Sequence, residues 1–144
     1  METRTKDDAL AVFERLVHAQ NGHDLEAMLK CFDSGYRSEQ PAHPARAFTG
    51  TDQVRTNWSA LLAAIPDFRA DMLRTAVDGD TVWSEAHWSG TKADGSSLDE
   101  MIVTIFGVRA GRVVWGRLYG EEVERDGPDI DDTVRRMGGT GEHA

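Results

Sequence analysis

The chain has 144 residues and a net charge of −9, from 16 basic and 25 acidic side chains. This length suits one domain whose core needs no disulfide, and the single cysteine, Cys31, leaves no internal disulfide possible. The acid excess argues against nucleic acid as a partner, and no apolar run reaches the ~20 residues of a membrane span. The composition therefore favours a cytoplasmic protein with neither a nucleic acid nor a membrane partner.

The acid excess is concentrated in one segment, residues 121–132, which carries seven acids and one base. That segment supplies −6 of the net charge, so the rest of the chain is close to neutral. Whether this acidic segment covers a binding pocket is a question that the sequence leaves open.

Helical periodicity marks the N-terminal half. Thr5 has an acid three residues later, which predicts the N-cap of a first helix that Asn21-Gly22 ends. Asp24 is expected to cap a short second helix. Asp33-Ser34-Gly35 predicts a turn, and residues 36–40 a short strand.

A third helix is expected to begin with Thr51 as its cap and to stop at Pro66, because proline lacks an N–H group and restricts the residue before it. From there the period changes to two, and turn signals such as Asp78-Gly79 separate the apolar runs. The pattern predicts an antiparallel meander of four strands: 68–77, 81–91, 97–109 and 112–123.

The C-terminal part is expected to contain one or two helical turns over residues 129–137, followed by a flexible tail at 138–144. The domain is therefore placed at residues 1–137. Three helices followed by a meander indicate an α+β fold. The simplest packing curls the sheet around the helices and leaves a pocket between them.

Four short motifs carry a resemblance to a known family: Asn21-Gly22-His23-Asp24, Gly50, Ile65-Pro66-Asp67 and Gly111-Arg112-Val113-Val114. Over residues 8–124 the chain resembles the SnoaL-like group of the NTF2-like (cystatin-like) superfamily. The resemblance implies a cone of three N-terminal helices packed in a curved antiparallel sheet. Members include ketosteroid isomerases, polyketide cyclases, limonene-epoxide hydrolases, dehydratases and plain binding proteins, so the fold alone implies no single activity.

The catalytic positions of these relatives are occupied by other residue types here. The ketosteroid isomerase pattern places neutral residues at its tyrosine and two aspartate positions: Leu16, Gln40 and Thr104. The epoxide hydrolase pattern replaces an arginine and two aspartates by Glu85, His87 and Leu118. The acids that these relatives use are therefore not kept.

The segment around Glu85 and His87 offers other candidates for catalysis. Alternation puts Trp83, Glu85 and His87 on one sheet face, with the last two about 6.5–7 Å apart along the strand. A carboxylate beside an imidazole can act as an acid/base pair near neutral pH. The alternative is that both face solvent or a dimer interface; the resemblance implies that they lie inside the barrel.

A second set of candidates is expected to line the pocket. The resemblance turns Tyr36, Ser38 and Gln40 inward, and Gln40 can orient a water or a carbonyl because its amide both donates and accepts. Gln40 thus joins Glu85 and His87 as a candidate catalytic residue. The candidate ligand-binding residues are Tyr36, Ser38, Trp58, Trp83, Thr104 and Leu118.

The last strand carries large side chains on the face opposite to Leu118. Trp115, Arg117 and Tyr119 alternate there, and interfaces favour such residues, so a homodimer through the outer sheet face is expected. No metal-binding motif or cofactor motif is found, so neither a metal nor a cofactor is expected.

Two function classes remain open from the sequence. One is a cofactor-free isomerase, cyclase or hydrolase that uses Glu85 and His87 for proton transfer. The other is a non-catalytic protein that binds a small ligand in the same pocket. Both bind a small, mostly hydrophobic organic molecule.

Overall fold

The computed structural model describes the backbone of residues 4–139 and the side chains of residues 9–139. Its helices are α1 (Arg4–Asn21), α2 (Leu25–Lys30), α3 (Thr51–Ala64) and α4 (Ile130–Met137), with a 3₁₀ turn at Pro44–Arg46. Its strands are β1 (Phe32–Glu39), β2 (Phe48–Thr49), β3 (Arg69–Asp78), β4 (Thr81–Thr91), β5 (Ser97–Arg109) and β6 (Arg112–Glu122). These elements confirm the α+β class and the cone of three N-terminal helices in a curved sheet.

One sheet holds all six strands in the order β2-β1-β6-β5-β4-β3. Strands β3 to β6 form the predicted antiparallel meander. The other end of the sheet is formed by β1, which runs parallel to β6, and by β2, which pairs antiparallel with β1. The sheet is thus wider than the sequence pattern indicates.

Of the three predicted N-caps, one is confirmed and two are wrong. Asp24 caps α2 as predicted, with its carboxylate accepting from the Ala27 N–H at 3.1 Å. Thr5 lies inside α1, which begins one residue before it. Thr51 is the first residue of α3, and the N-cap is Gly50, whose φ of 98° suits glycine.

The predicted turn at Asp33-Ser34-Gly35 is wrong, because these residues lie within β1. The Asp33 carboxylate accepts from the Gly35 N–H at 2.8 Å, as in a local turn, but the strand continues through an irregularity in its pairing with β6. A bulge absorbs the turn-forming residues without ending the strand.

The hairpin turns differ in type. The β3–β4 turn is centred on Gly79-Asp80, one residue later than the Asp78-Gly79 signal indicates, and among its central residues only Gly79 has positive φ. In the β5–β6 turn both Ala110 and Gly111 have positive φ. Both arrangements match the twist of the adjoining strands.

Helix α1 fills the concave side of the sheet. Val12, Phe13 and Leu16 are almost fully buried, and the Phe13 ring packs 6.0 Å from that of Phe106 on β5. Cys31 belongs to the same core, and burial raises the pKa of its thiol.

The segment after α1 fastens the edge of the sheet. The Asn21 side chain donates to the Ala70 carbonyl at 2.9 Å and accepts from the Ala70 N–H at 2.8 Å. The His23 ring donates from Nε2 to the Phe68 carbonyl at 2.9 Å. These bonds satisfy backbone groups at the start of edge strand β3 and in the residue just before it, which explains physically why this motif follows the first helix.

No helix within residues 4–139 is long and apolar enough to cross a bilayer. Helix α4 agrees with the predicted helical turns near the C-terminus. Of the predicted flexible tail at 138–144, residues 140–144 lie outside the described part of the chain. The domain boundary at residue 137 stays a prediction.

Candidate functional site

A cavity of about 300 Å³ lies between the concave sheet face and helices α1 and α3. Its walls are mostly apolar, with aromatic side chains from both helices and four strands. The principal aromatic lining residues are Phe13, Phe32, Phe48, Trp58, Trp88 and Phe106. Such a lining suits a small organic ligand.

Hydroxyl groups form the polar part of the cavity wall. Ser84 on β4 and Thr104 on β5 are directly opposite each other, and their hydroxyl oxygens lie 2.6 Å apart in a buried hydrogen bond. Tyr36 and Ser38 add two more hydroxyls from β1. All four residues are buried, so each hydroxyl is held in place by its surroundings.

The Tyr36 phenol stays protonated across the neutral range. Burial raises the pKa of Tyr36 to about 12, although a hydrogen bond with Ser38 acts in the opposite direction. The Tyr36 ring packs edge-on against two phenylalanine rings, with its centroid 4.7 Å from that of Phe32 and 6.1 Å from that of Phe48. Tyr36 can therefore donate a hydrogen bond but is not a base near neutral pH.

Charged groups lie nearer to the cavity mouth. Exposure of the lining increases from buried Thr104 and Phe106 to half-buried Glu100 on β5. On the other side Arg46 is exposed, and its guanidinium donates to the Gln40 side-chain oxygen at 2.9 Å. The cavity thus combines a neutral interior with an ionisable mouth.

Six of the predicted site residues line this cavity: Gln40, Tyr36, Ser38, Trp58, Thr104 and Leu118. They come from β1, α3, β5 and β6, so only the curvature of the sheet and the position of α3 bring them together. Leu16 lines the cavity as well. Their roles in binding or catalysis stay predictions.

The expectation that Glu85, His87 and Trp83 belong to the internal site is wrong, because none of the three lines the cavity. The inward residues of β4 are Ser84, Ala86 and Trp88. A shift of one residue along a strand exchanges the two faces of a sheet. The resemblance implied that Glu85 and His87 face inward, whereas in the structure the residues one position along the strand do so.

On the outer face these side chains have other partners. Glu85 pairs with Arg74 at 2.9 Å, and Trp83 is 47% exposed. His87 bonds the Asp99 carboxylate at 2.6 Å, where Arg125 also binds. This placement agrees with the alternative that both face solvent or a dimer interface, and no Glu85–His87 acid/base pair lies in the cavity.

The Asp99 carboxylate has a pKa below its usual range. The main cause is the hydrogen bond from His87, with smaller effects from the hydrogen bonds and positive charge of Arg125, against a desolvation effect of opposite sign. Arg125 lies just after β6, within the acidic segment 121–132. Its hydrogen bonds to Asp99 hold this part of the segment against the outer sheet face. This contact does not involve the cavity.

Five polar lining residues were not among those predicted from the sequence: Gln20, Arg46, Asn57, Ser84 and Glu100. Glu100 alternates with Leu98 and Ile102 on β5, but Asp99 alternates with Met101 and Val103 in the same way, so the pattern does not show which acid faces the cavity. Arg46 had no periodic signal, because it lies in the short 3₁₀ turn after β1.

Two glycines on β6 allow close packing on the concave face. A Cβ at Gly116 would approach both the Phe106 ring and the Tyr36 hydroxyl to 2.6 Å. Gly120 lines the cavity, and a Cβ there would approach Ile102 Cδ1 even more closely. A larger residue at either position would therefore displace a neighbouring side chain.

The fold and site define an α+β cone with one internal, largely apolar cavity among its described residues. Residues 13–115 match the model of the SnoaL-like domain. The match covers well over half of the chain, which therefore belongs to the SnoaL-like family. No curated protein matches the sequence.

Solved structures support the same fold. Bal32a from a soil-derived mobile gene cassette is 19% identical, with a TM-score of 0.71 over 81% of this chain and 91% of that chain. An LEH-like epoxide hydrolase of M. tuberculosis is 16% identical, with a TM-score of 0.71 over 81% and 84%. A candidate SnoaL-like polyketide cyclase from Jannaschia sp. CCS1 is 21% identical, with a TM-score of 0.71 over 81% and 87%. At these identities the likeness concerns the fold alone.

Proposed function

We propose that this SnoaL-like protein binds a small, mostly apolar organic molecule in the internal cavity. The observation that carries the proposal is the cavity itself, about 300 Å³ with aromatic walls and the Ser84–Thr104 hydroxyl pair inside. Specific ligand sites commonly combine apolar walls with a few well-placed polar groups. An epoxide hydrolase and a candidate polyketide cyclase among proteins of the same fold also support a small-molecule role.

The polar groups limit the chemistry of the ligand. Ser84 and Thr104 already bond each other, but each hydroxyl oxygen retains capacity for one more hydrogen bond. The neutral Tyr36 phenol adds a donor. A ligand with one carbonyl or hydroxyl at its buried end and a hydrocarbon body fits this arrangement.

Filling part of the cavity should weaken binding. Leu118→Trp places a large indole against the cavity, and we expect affinity for a neutral aromatic ligand such as 4-phenylbutanol to fall at least about tenfold, the effect of losing ~1.4 kcal/mol. Isothermal titration calorimetry measures this directly. Leu73→Trp makes the same change at a residue that is 52% exposed and should leave the affinity unchanged. Equal affinities in both variants would show that the ligand binds elsewhere.

We also propose that the outer face of β6 pairs with a second copy of the chain. Arg117 is held there by Glu39 at 2.8 Å and by the Tyr119 hydroxyl at 3.5 Å, beside half-buried Trp115. Tyr119 remains 39% exposed. Aromatic residues with an ordered arginine are typical of interface centres.

Sedimentation tests the dimer. The wild type should sediment at about twice the 15.9 kDa chain mass at micromolar concentration. Tyr119→Glu should shift it to a monomer, because it adds a charge near Glu121 on the same face. Thr75→Glu, at an exposed residue of β3, is the matched control and should stay dimeric. A monomeric wild type would refute the interface.

A further inference from the structure

Three side chains form a row across the sheet at the cavity mouth. Glu100 on β5 is directly opposite Trp88 on β4 and directly opposite Glu122 on β6. Residues paired in this way share a sheet face, with Cβ atoms about 4.5–5.5 Å apart. Because Trp88 and Glu100 line the cavity, the Glu122 side chain rises from the same concave face.

Within residues 9–139 the two carboxylates of this row have no cationic partner. Among the described side chains, no ion pair or hydrogen bond involves the carboxylate of Glu100 or of Glu122. Like charges directly opposite each other on neighbouring strands are destabilising. By contrast, Glu39, Glu85 and Asp99 on the outer face each have an arginine partner. The acids at the mouth thus form a negative site that a bound cation would stabilise.

Aromatic rings adjoin this negative site. The Trp88 ring packs against Trp58 at 5.5 Å and against Phe68 at 5.4 Å, which holds it in place beside Glu100. Tryptophan faces attract organic cations within about 6 Å. A carboxylate pair beside an ordered indole suits an ammonium group on an apolar body better than it suits a strongly hydrated ion.

We propose that the Glu100–Glu122 pair, beside Trp88, binds the ammonium group of an amphipathic amine whose hydrocarbon body fills the cavity. This inference rests on the proposed small-molecule function and names its ligand class. The amine takes the position of the missing counter-ion and removes the repulsion between the two acids. Its apolar part replaces water along the aromatic walls.

Arg46 is the one guanidinium that lines the cavity within residues 9–139. It donates to Gln40 on the β1 side, and its charge lies beyond 4 Å from Glu100 and Glu122, since no such ion pair forms. Arg46 would favour a carboxylate ligand in place of an amine. A preference for an amine would therefore indicate that the Glu100 side of the mouth selects the ligand, and a preference for a carboxylate would indicate the Arg46 side.

Three probes of equal shape provide the test: 4-phenylbutylamine, 4-phenylbutanol and 4-phenylbutyrate, each titrated by calorimetry at neutral pH with a chelator present. The amine should bind at least about tenfold more tightly than the alcohol, because hydrogen bonds to charged groups are the stronger ones. Glu100→Gln should remove most of that preference and leave the affinity for the alcohol within about twofold. Glu122→Gln should have the same effect to a smaller extent, because Glu122 is more exposed.

A matched control and a folding control accompany these variants. Glu85→Gln removes an acid from the outer face of the neighbouring strand and should not change the preference for the amine. Without ligand, Glu100→Gln should raise the melting temperature slightly, because it relieves the repulsion from Glu122. A fall in melting temperature would contradict the view that the two acids repel each other.

The outcomes separate this inference from the function on which it rests. If the alcohol binds but the amine binds no more tightly, or if Glu100→Gln keeps the preference, the amine site is wrong and the cavity remains a ligand site. Tightest binding of the butyrate would assign charge selection to Arg46 and overturn the inference. If no probe binds, both proposals fail.

Discussion

Trp58→Ala should lower the free energy of unfolding by about 3 kcal/mol, the lower end of the usual range for removing a packed aromatic side chain. Trp58 packs edge-on against Phe68 at 5.4 Å and Trp88 at 5.5 Å, and so joins α3 to the start of β3 and to β4. The lower end applies because the residue is only partly buried and one side borders the cavity. Urea denaturation followed by far-UV circular dichroism measures the change.

Two variants make this measurement specific. Trp58→Phe keeps an aromatic ring in the cluster and should cost about 1 kcal/mol, the scale of an aromatic pair. Trp83→Ala removes the same residue type from the exposed outer face and should cost less than about 1 kcal/mol. If Trp58→Ala costs as little as Trp83→Ala, then Trp58 does not hold α3 on the sheet.

Asn21→Ala should destabilise the protein by about 2–4 kcal/mol, since it leaves both backbone groups of Ala70 without their partner. Ala70 is 2% exposed and lies on edge strand β3, where no further strand of the sheet supplies hydrogen bonds. The same denaturation experiment measures the loss. Amide hydrogen exchange at Ala70 should accelerate more than exchange at the centre of β5.

Asn21→Asp tests the role of each half of the side chain. It keeps the oxygen that accepts from the Ala70 N–H and loses the donor to the Ala70 carbonyl, so the loss should be intermediate. Asn57→Ala, at an exposed residue of α3 on the cavity rim, should change stability by less than about 0.5 kcal/mol. An Asn21→Ala variant as stable as Asn57→Ala would mean that water replaces the side chain without cost.

The elements that the sequence predicted well are those defined by local chemistry. The limits of β4 and β5 follow from turn residues that end one alternating run and start the next. The short helix after Asp24 follows from a capping side chain three residues from its target N–H. Such signals involve neighbours in the chain, so one sequence is enough to interpret them.

The pairing of strands that lie far apart in the sequence was not predicted. The parallel contact between β1 and β6 joins residues about eighty positions apart, such as Ser38 and Gly116, and no local pattern marks it. The same pairing extends β1 across Asp33-Ser34-Gly35, which form a bulge in the strand. Pairing energy from a distant strand overrode the local preference for a turn.

The faces of β4 and β5 show the same limit. In β5 each face carries one acid among mostly apolar residues, Glu100 on one face and Asp99 on the other, so alternation alone does not place Glu100 inward. In β4 each face mixes aromatic, small and polar residues, so alternation separated Glu85 and His87 from Ser84 and Ala86 without telling which set faces inward.

The sequence by itself thus determined the helices, the meander, the family and the two candidate faces of each strand. The tertiary structure decided which face of β4 encloses the cavity, because α1 covers one side of the sheet and buries Ala86 and Val82 there. That packing left Glu85 and His87 with Arg74 and Asp99 on the outer face, and left Glu100 and Glu122 together at the mouth. The physical reason is that the period of a strand is two, so only contact with another element can distinguish its faces.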